Sequence, residues 1–558
     1  MEYTPPLRHI TARLFICDGK ILKDSRTLNI YAREAAKKLN LGRIQTSFFL
    51  YNPIGTTVVV LLNLCQLTIS TSSYDGYAEV NLLILSHKAD INSTFNYLKK
   101  VLKAHGCDIY EVLGDAPLNL ASHLPTAYNK ARTKSLDSKN IGPVISLLGS
   151  GGGVAKSLLS ILNIASLDKE DPLNYFINSS KLNLVDIRQK PLSYYTEHFP
   201  NLKDKITLYE FDVNKVEDLK NHLKEANTSI VLDISYGDTV DMLRCCNSLG
   251  IAYINTALES VEVDENQYYS GFPLQERYKI FESHRDEFNN TSAIVCSGMN
   301  PGVVQWMAIE LMNKYPDKKP ICCYIVENDT SFFENEELAD KNTIYTTWFP
   351  MGFLDEAINS YPTFMKKHQS LFLYNEIYSL EFKVTLGNKE FYGALMPHEE
   401  AITLGKIFDM ETGFIYKIND HTTGLIKSNI SNTNSLWERP MKVLDPELSP
   451  LKGEDLVGIL LVFEDMEAYI YNSLSNKEAF EKYRTNATYL QAASGVYAAL
   501  ATMVLDNIPQ GIYYVDELLI NTKNNYGKYI SYHLNHFLTG ENNHSDGDLL
   551  NRMKMAIK

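Results

Sequence analysis

A strand pattern that runs into a glycine cluster and then into an apolar helix constrains this chain more than any other feature. Residues 145–162 read ISLLGSGGGVAKSLLSIL. Gly149, Gly151, Gly152 and Gly153 leave backbone amides free to close around an anion, and the positive end of the following helix faces that anion. Val154 stands where the third glycine of a G-x-G-x-x-G dinucleotide turn belongs. Further apolar runs at Leu182–Asp186, Ile206–Phe211, Ile230–Ile234 and Ala252–Asn255 alternate with helical stretches. That alternation predicts a parallel sheet with helices on both faces. The second strand ends in Asp186, beyond the usual ~20-residue spacing of the acidic residue from the turn. Leu167–Ser180 absorbs the excess. A carboxylate there accepts the ribose hydroxyls and repels a 2′-phosphate, so NAD is the expected cofactor. Arg188 keeps NADP as the alternative, and a Rossmann-type sheet without any cofactor is the plainer one. Ser235 and Thr256 complete the expected cofactor contacts.

The predicted fold class is α/β: a Rossmann-type parallel sheet plus a strand-rich α+β substrate domain, preceded by a small α+β sandwich. Residues 1–126 form the sandwich, with a strand at Arg8–Cys17 and a helix at Arg26–Leu39 among its elements. Residues 127–140 are polar and aperiodic, and predict a linker or bridging helix. Residues 141–302 form the nucleotide domain, and 303–480 the strand-rich substrate and dimerisation domain, with Leu456–Tyr471 as a long antiparallel candidate. Residues 481–558 predict helices packing back on the nucleotide domain, led by Leu490–Asp506.

The 558 residues hold 53 Lys and Arg against 67 Asp and Glu, a net charge of −14. That disfavours a general nucleic-acid binder and suits a cationic substrate, although a solvated acidic surface gives the same figure. The eight cysteines form no C-x-x-C pair, so free thiols are expected and no metal site is read from them. No stretch reads as a signal peptide, and the apolar run Thr56–Leu64 is too short to span a bilayer. A cytoplasmic protein with no membrane partner is expected.

Motifs in the C-terminal three quarters carry a family resemblance. YINTALES (Tyr253–Ser260), GMNPGVV (Gly298–Val304), MPHEEAIT (Met396–Thr403) and TNATYLQAA (Thr485–Ala493) occur in an order and spacing that resemble bacterial-type homospermidine synthase, within the saccharopine dehydrogenase-like group. The resemblance runs from about Val144 to His533. It implies an enzyme, expected as a homodimer, that joins two putrescine molecules. In that reaction NAD takes a hydride, ammonia leaves, a second diamine adds, and the hydride returns. Such chemistry needs carboxylates for two ammonium groups, a base, and a site closed to water. By residue-to-residue match, Asn300 would lie beside the nicotinamide, Glu259 would bind diamine, and His398 and Glu400 would line the substrate pocket. Glu356 and Asp238 are weaker transfers. Each has a plainer alternative: a turn residue, loop acids, or acids at a helix start. A tryptophan of the family, suited to holding an ammonium by cation–π attraction, falls at Phe364 or Met365 here. Competing readings are a carboxyspermidine or saccharopine dehydrogenase, which needs arginines for a substrate carboxylate, and a non-catalytic regulatory protein.

The first block resembles prokaryotic-type S-adenosylmethionine decarboxylase through RLFICDGK (Arg13–Lys20), TSFFLYNPIGTTVVVLL (Thr46–Leu62) and CQLTISTSSYDGYAEVNLLI (Cys65–Ile84). Cys65 stands where that family cleaves before a serine, Ser70 replaces its histidine, and Leu85 its later cysteine. The resemblance therefore implies an inactive domain with a structural or regulatory role.

Overall fold

Every second residue of Thr56–Leu62 is buried, the period of a strand with one face on a core. The computed structural model describes residues 8–51, 55–73, 76–84, 86, 89–113 and 142–556. The chain divides into two compact units, Met1–Leu124 and Pro125–Lys558. The expected linker at 127–140 lies outside the described residues.

In the first unit, a six-stranded antiparallel sheet runs in the order Ile44–Tyr51, Thr56–Leu62, Cys65–Ser72, Tyr77–Ile84, Arg8–Phe15, Gly106–Leu113. Helices Ser25–Lys38 and Ile91–Val101 lay Leu28, Ala32, Phe95 and Leu98 onto Val58, Val60 and Leu67. Asp24 and Asp90 start these helices by accepting hydrogen bonds from the amides of Arg26 and Ser93. The expected sandwich is present, with the additional edge strand Gly106–Leu113.

The second unit is built on a seven-stranded parallel sheet. Its order is Ile206–Glu210, Lys181–Asp186, Val144–Leu148, Ile230–Asp233, Ala252–Asn255, Ser292–Val295, Gly511–Tyr514. Numbered along the chain this is 3-2-1-4-5-6-7, the doubly wound arrangement whose crevice opens at the strands' carboxyl ends. The strand Val144–Leu148, apolar but for Ser146, is fully buried because helices cover both faces. A second, mixed sheet is centred on Cys322–Asp329, paired in parallel with Glu411–Lys417 and antiparallel with Glu454–Val462.

Two expectations change. Leu456–Tyr471 is a hairpin, Glu454–Val462 and Glu467–Ser475, because the charged stretch after Phe463 turns the chain. Residues 481–558 are more than packing helices. They add Gly511–Tyr514 to the parallel sheet, and Phe537–Asn542 and Met553–Met555 to the edges of the mixed one. Among the described residues, one helix, Ala487–Leu505, has the length and apolarity to cross a bilayer. Here it is a core helix, with Val496, Tyr497 and Leu500 buried.

Candidate active site

The glycine turn sits at the carboxyl end of Val144–Leu148, and helix Gly153–Ala165 begins directly behind it. Gly149 has φ +76°, and a Cβ there would lie 2.4 Å from the Ile234 carbonyl oxygen. At Gly153 a Cβ would lie 2.1 Å from the Tyr489 ring. Neither position has room for a side chain, so the backbone itself lines the turn. Asp186 ends the neighbouring strand and accepts from the Gly151 amide at 2.8 Å and the Arg188 amide at 3.0 Å. Val154 is partly buried and packs on the core. Ser235 donates to Asp233 at 2.6 Å, and Thr256 follows strand Ala252–Asn255. A cavity of about 390 Å³ adjoins Gly151, Gly152 and Gly153. Backbone amides, a helix start and an acid at the next strand end fit a dinucleotide.

Asn300 lies in the turn between strand Ser292–Val295 and helix Val303–Lys314. The Gly298 amide donates to the Pro301 carbonyl at 2.7 Å. Helix Ala487–Leu505 presses against this turn so closely that a Cβ on Gly495 would lie 1.9 Å from the Gly298 oxygen. Asn300 Nδ2 donates to Glu327 Oε2 at 2.6 Å. Glu327 comes from the central strand of the mixed sheet, so this bond joins the two sheets at the site.

His398 precedes helix Glu399–Ile407 and shares a 2.5 Å hydrogen bond between Nδ1 and Glu400 Oε2. Burial alone would lower the imidazole pKa, but Glu400, Glu356 and Glu399 override it and push it up to about 10. Glu400 is fully buried, and its Oε1 has no hydrogen-bond partner among the described residues. Glu399 Oε1 accepts from the Leu258 amide at 3.1 Å. His398, Glu399 and Glu400 bring ligand atoms within 4.8 Å of one another, a spacing that a metal ion could also use.

Glu356, on helix Pro350–Ile358, has its Oε2 buried without a partner among the described residues. Burial pushes its pKa up to about 8 against the pull of His398. Burial also raises Glu259 to about 8, opposed by Arg277. Arg277 is itself held by Asp264 at 2.6 Å and Asp355 at 3.0 Å. Charge interactions thus link Glu259, Glu356, His398 and Glu400, and Asn300 joins them through its hydrogen bond to Glu327.

Asp238 lies at a helix start. It caps helix Thr239–Leu249 by accepting from Val240 at 3.1 Å and Asp241 at 3.2 Å, and its other oxygen accepts from Val261 at 3.2 Å. Both carboxylate oxygens hold backbone, so Asp238 has a structural role at this helix start.

Three acids were missed in the sequence. Glu327 is raised by burial and by Asp329. Asp329 and Asp455 face each other across paired strands, and both are fully buried. Asp329 accepts from the Thr347 hydroxyl at 2.6 Å, and Asp455 from Thr488 at 2.5 Å. Their signal was present: acids inside strands that are otherwise apolar, such as YIVEND and EDLVGILLV. The Trp348 indole donates to the Tyr416 hydroxyl at 3.4 Å. Tyr416 stacks on Phe414, which meets the His398 ring at 4.5 Å. Met365 is buried and Phe364 packs with an apolar cluster that includes Tyr324 and Leu395.

In the first unit, Cys65 opens its strand directly after the two-residue turn Asn63–Leu64. It is buried, and burial pushes its thiol up to about 12, so the nucleophilic thiolate is suppressed. Ser70 lies on the same strand, with its hydroxyl 3.3 Å from Thr57. Leu85 lies outside the described residues. The purified chain is expected to run as one species near 63 kDa on a denaturing gel. A break between Leu64 and Cys65 with a new blocked end would overturn that expectation.

The second unit is of the Rossmann-type α/β class, with an acid-lined site where its two sheets meet. The first unit has a named family. Residues 8–113 match S-adenosylmethionine decarboxylase. The S-adenosylmethionine decarboxylase proenzyme of Thermosipho melanesiensis is 33% identical over 106 residues, 19% of this chain and 82% of that protein. Through this segment the chain belongs to the S-adenosylmethionine decarboxylase family. A homospermidine synthase of Mesorhizobium japonicum is 24% identical over 344 residues, 50% of this chain and 68% of that protein. Apo saccharopine dehydrogenase (L-Glu forming) of Saccharomyces cerevisiae aligns with 72% of this chain and 100% of that chain, at 11% identity and a TM-score of 0.46.

Proposed function

We propose that this chain is a polyamine-forming enzyme, an NAD-dependent homospermidine synthase that joins two putrescines and releases ammonia. One observation carries the reading: Glu259, Glu356, Glu400 and Glu327 converge around Asn300 and His398 with few cations among them. A dication supplies the missing positive charge. The homospermidine synthase relative supports the same substrate class.

The glycine turn and Asp186 would hold NAD, whose nicotinamide would supply reversible hydride transfer. The chain's own residues do the rest. Glu400 accepts from His398 and keeps it charged near neutral pH. Glu259 and Glu356, with pKa values near 8, are protonated in the empty site and ionise when ammonium groups arrive. Near that pKa a carboxylate can also take a proton from an ammonium before its carbon reacts. Asn300 would orient a polar group from its fixed turn. Arg277 is committed to Asp264 and Asp355, which weighs against a substrate carboxylate and the reductive-amination alternative.

Incubation with putrescine and NAD, followed by mass spectrometry, tests the reading. Homospermidine without accumulation of NADH is expected. NADH rising in step with product would favour a simple dehydrogenase. Proton linkage gives a second check. Putrescine should release protons on binding at pH 7, and its affinity should rise towards pH 8 and then level. The same two acids, raised from an ordinary pKa near ~4.3, stabilise the empty fold most at low pH and lose that contribution as pH rises towards 8. Calorimetry in two buffers of different ionisation enthalpy measures the release, and a buffer-independent heat would refute the assignment.

A further inference from the structure

The cavity beside the glycine turn has a second wall. Opposite Gly151, Gly152 and Gly153 lies the turn of residues 443–448, VLDPEL, which links strand Met441–Val443 to the next part of the substrate domain. Glu447 reaches back from it to Lys156, on the helix that the glycine turn opens. Their oxygen and nitrogen are 2.6 Å apart, with the side chains 27% and 12% exposed. His198 Nε2 lies 3.6 Å from the other Glu447 oxygen.

The turn that presents Glu447 is fixed at several points. The Leu444 amide donates to the Thr346 carbonyl at 2.7 Å, and Asn486 donates to the Leu444 carbonyl at 3.2 Å. Asp445 Oδ1 accepts from the Glu447 amide at 2.9 Å, and the Asp445 carbonyl accepts from Leu448 and Ser449. Pro446 fixes the backbone between them. Asn486 also begins helix Ala487–Leu505, whose Tyr489 packs on Gly153. The turn and the nucleotide cradle are therefore braced by one helix start.

We infer that residues 443–449 form a clamp on the dinucleotide, latched by the Glu447–Lys156 ion pair. Glu447 and Lys156 are positioning residues that hold the cradle shut while cofactor is bound. The inference rests on the cofactor reading above and adds a requirement of that chemistry. A hydride that is borrowed must be returned, so the reduced cofactor has to stay bound until the second step. Closing the cavity with an ion pair between the two halves of the unit slows exit without touching the reacting atoms.

The test uses the full chain and NAD as probe. Dissociation is followed by stopped-flow displacement, and affinity by titration. Glu447→Gln and Lys156→Gln should each release NAD about tenfold faster. The double variant should be no faster than either single one, because both remove the same contact. Lys156→Glu combined with Glu447→Lys should restore slow release. Raising salt should speed release from the wild type and leave the Gln variants nearly unchanged. Unchanged release in Glu447→Gln would overturn the clamp, including the case in which Lys156→Gln alone weakens binding through direct contact with NAD. Absence of NAD binding by the wild type would overturn the cofactor reading and the clamp together.

Discussion

Glu400→Gln should lower kcat/KM for putrescine by about 10²–10³. Removing one member of a buried charge pair costs ~3–5 kcal/mol, and each ~1.4 kcal/mol is a factor of ten. Glu400 is fully buried, and its charge is what holds the His398 imidazole protonated. Gln keeps the volume but leaves His398 beside a neutral amide, so the imidazole should titrate lower and move the pH profile with it. NAD affinity should be unchanged, because the glycine turn belongs to a different strand end. Glu400→Asp should recover part of the rate. Kinetics measured across pH, with melting temperatures alongside, separate this from misfolding. Wild-type rates and an unmoved pH profile in Glu400→Gln would make the residue a structural acid.

Glu467→Ala should destabilise the second unit by a similar ~3–5 kcal/mol. Glu467 forms an ion pair with Arg552, both nearly inaccessible, and accepts from Asn542 Nδ2 at 2.8 Å and the Asp546 amide at 2.7 Å. Deleting the acid strands a buried guanidinium and frees the C-terminal strand that follows it. Replacing both partners by apolar residues, Glu467→Leu with Arg552→Met, should recover most of the loss, since burying both charges costs desolvation that apolar residues avoid. Equilibrium unfolding checks both variants. An unchanged midpoint for Glu467→Ala would show that water reaches Arg552 and replaces the acid.

The parallel sheet was legible because its cause is local. Val144–Leu148, the glycines and the helix behind them are contiguous, and each later strand carries its own apolar run. Asn300, His398 and Glu400 were legible only through motif resemblance. Composition does not distinguish them from turn and helix-start residues. Glu327, Asp329 and Asp455 showed in the sequence only as acids within apolar strands; that they meet depends on pairing between strands far apart in sequence, Cys322–Asp329 with Glu454–Val462. Asp238 was read from the resemblance alone, and the structure adds a capping role. An acid just before a helix caps it far more cheaply than it does chemistry, and the nearby Val261 amide completed its hydrogen bonds. The strand Gly511–Tyr514 is short and follows a long helix, so nothing local announced that it joins the parallel sheet.

That seventh strand sets the order in which the protein can be made. Ser292–Val295 leaves the ribosome with its outer edge unpaired, and residues 296–510 must follow before Gly511–Tyr514 can cover it. At ~5–20 residues per second the wait is on the order of 10–40 s. During that time an open strand edge can pair with another nascent chain. The turn that carries Asn300 is likewise unsupported until Gly495 arrives to press against Gly298. The strands of residues 8–113 face no such delay, because every pairing in their sheet is complete within the first fifth of the chain.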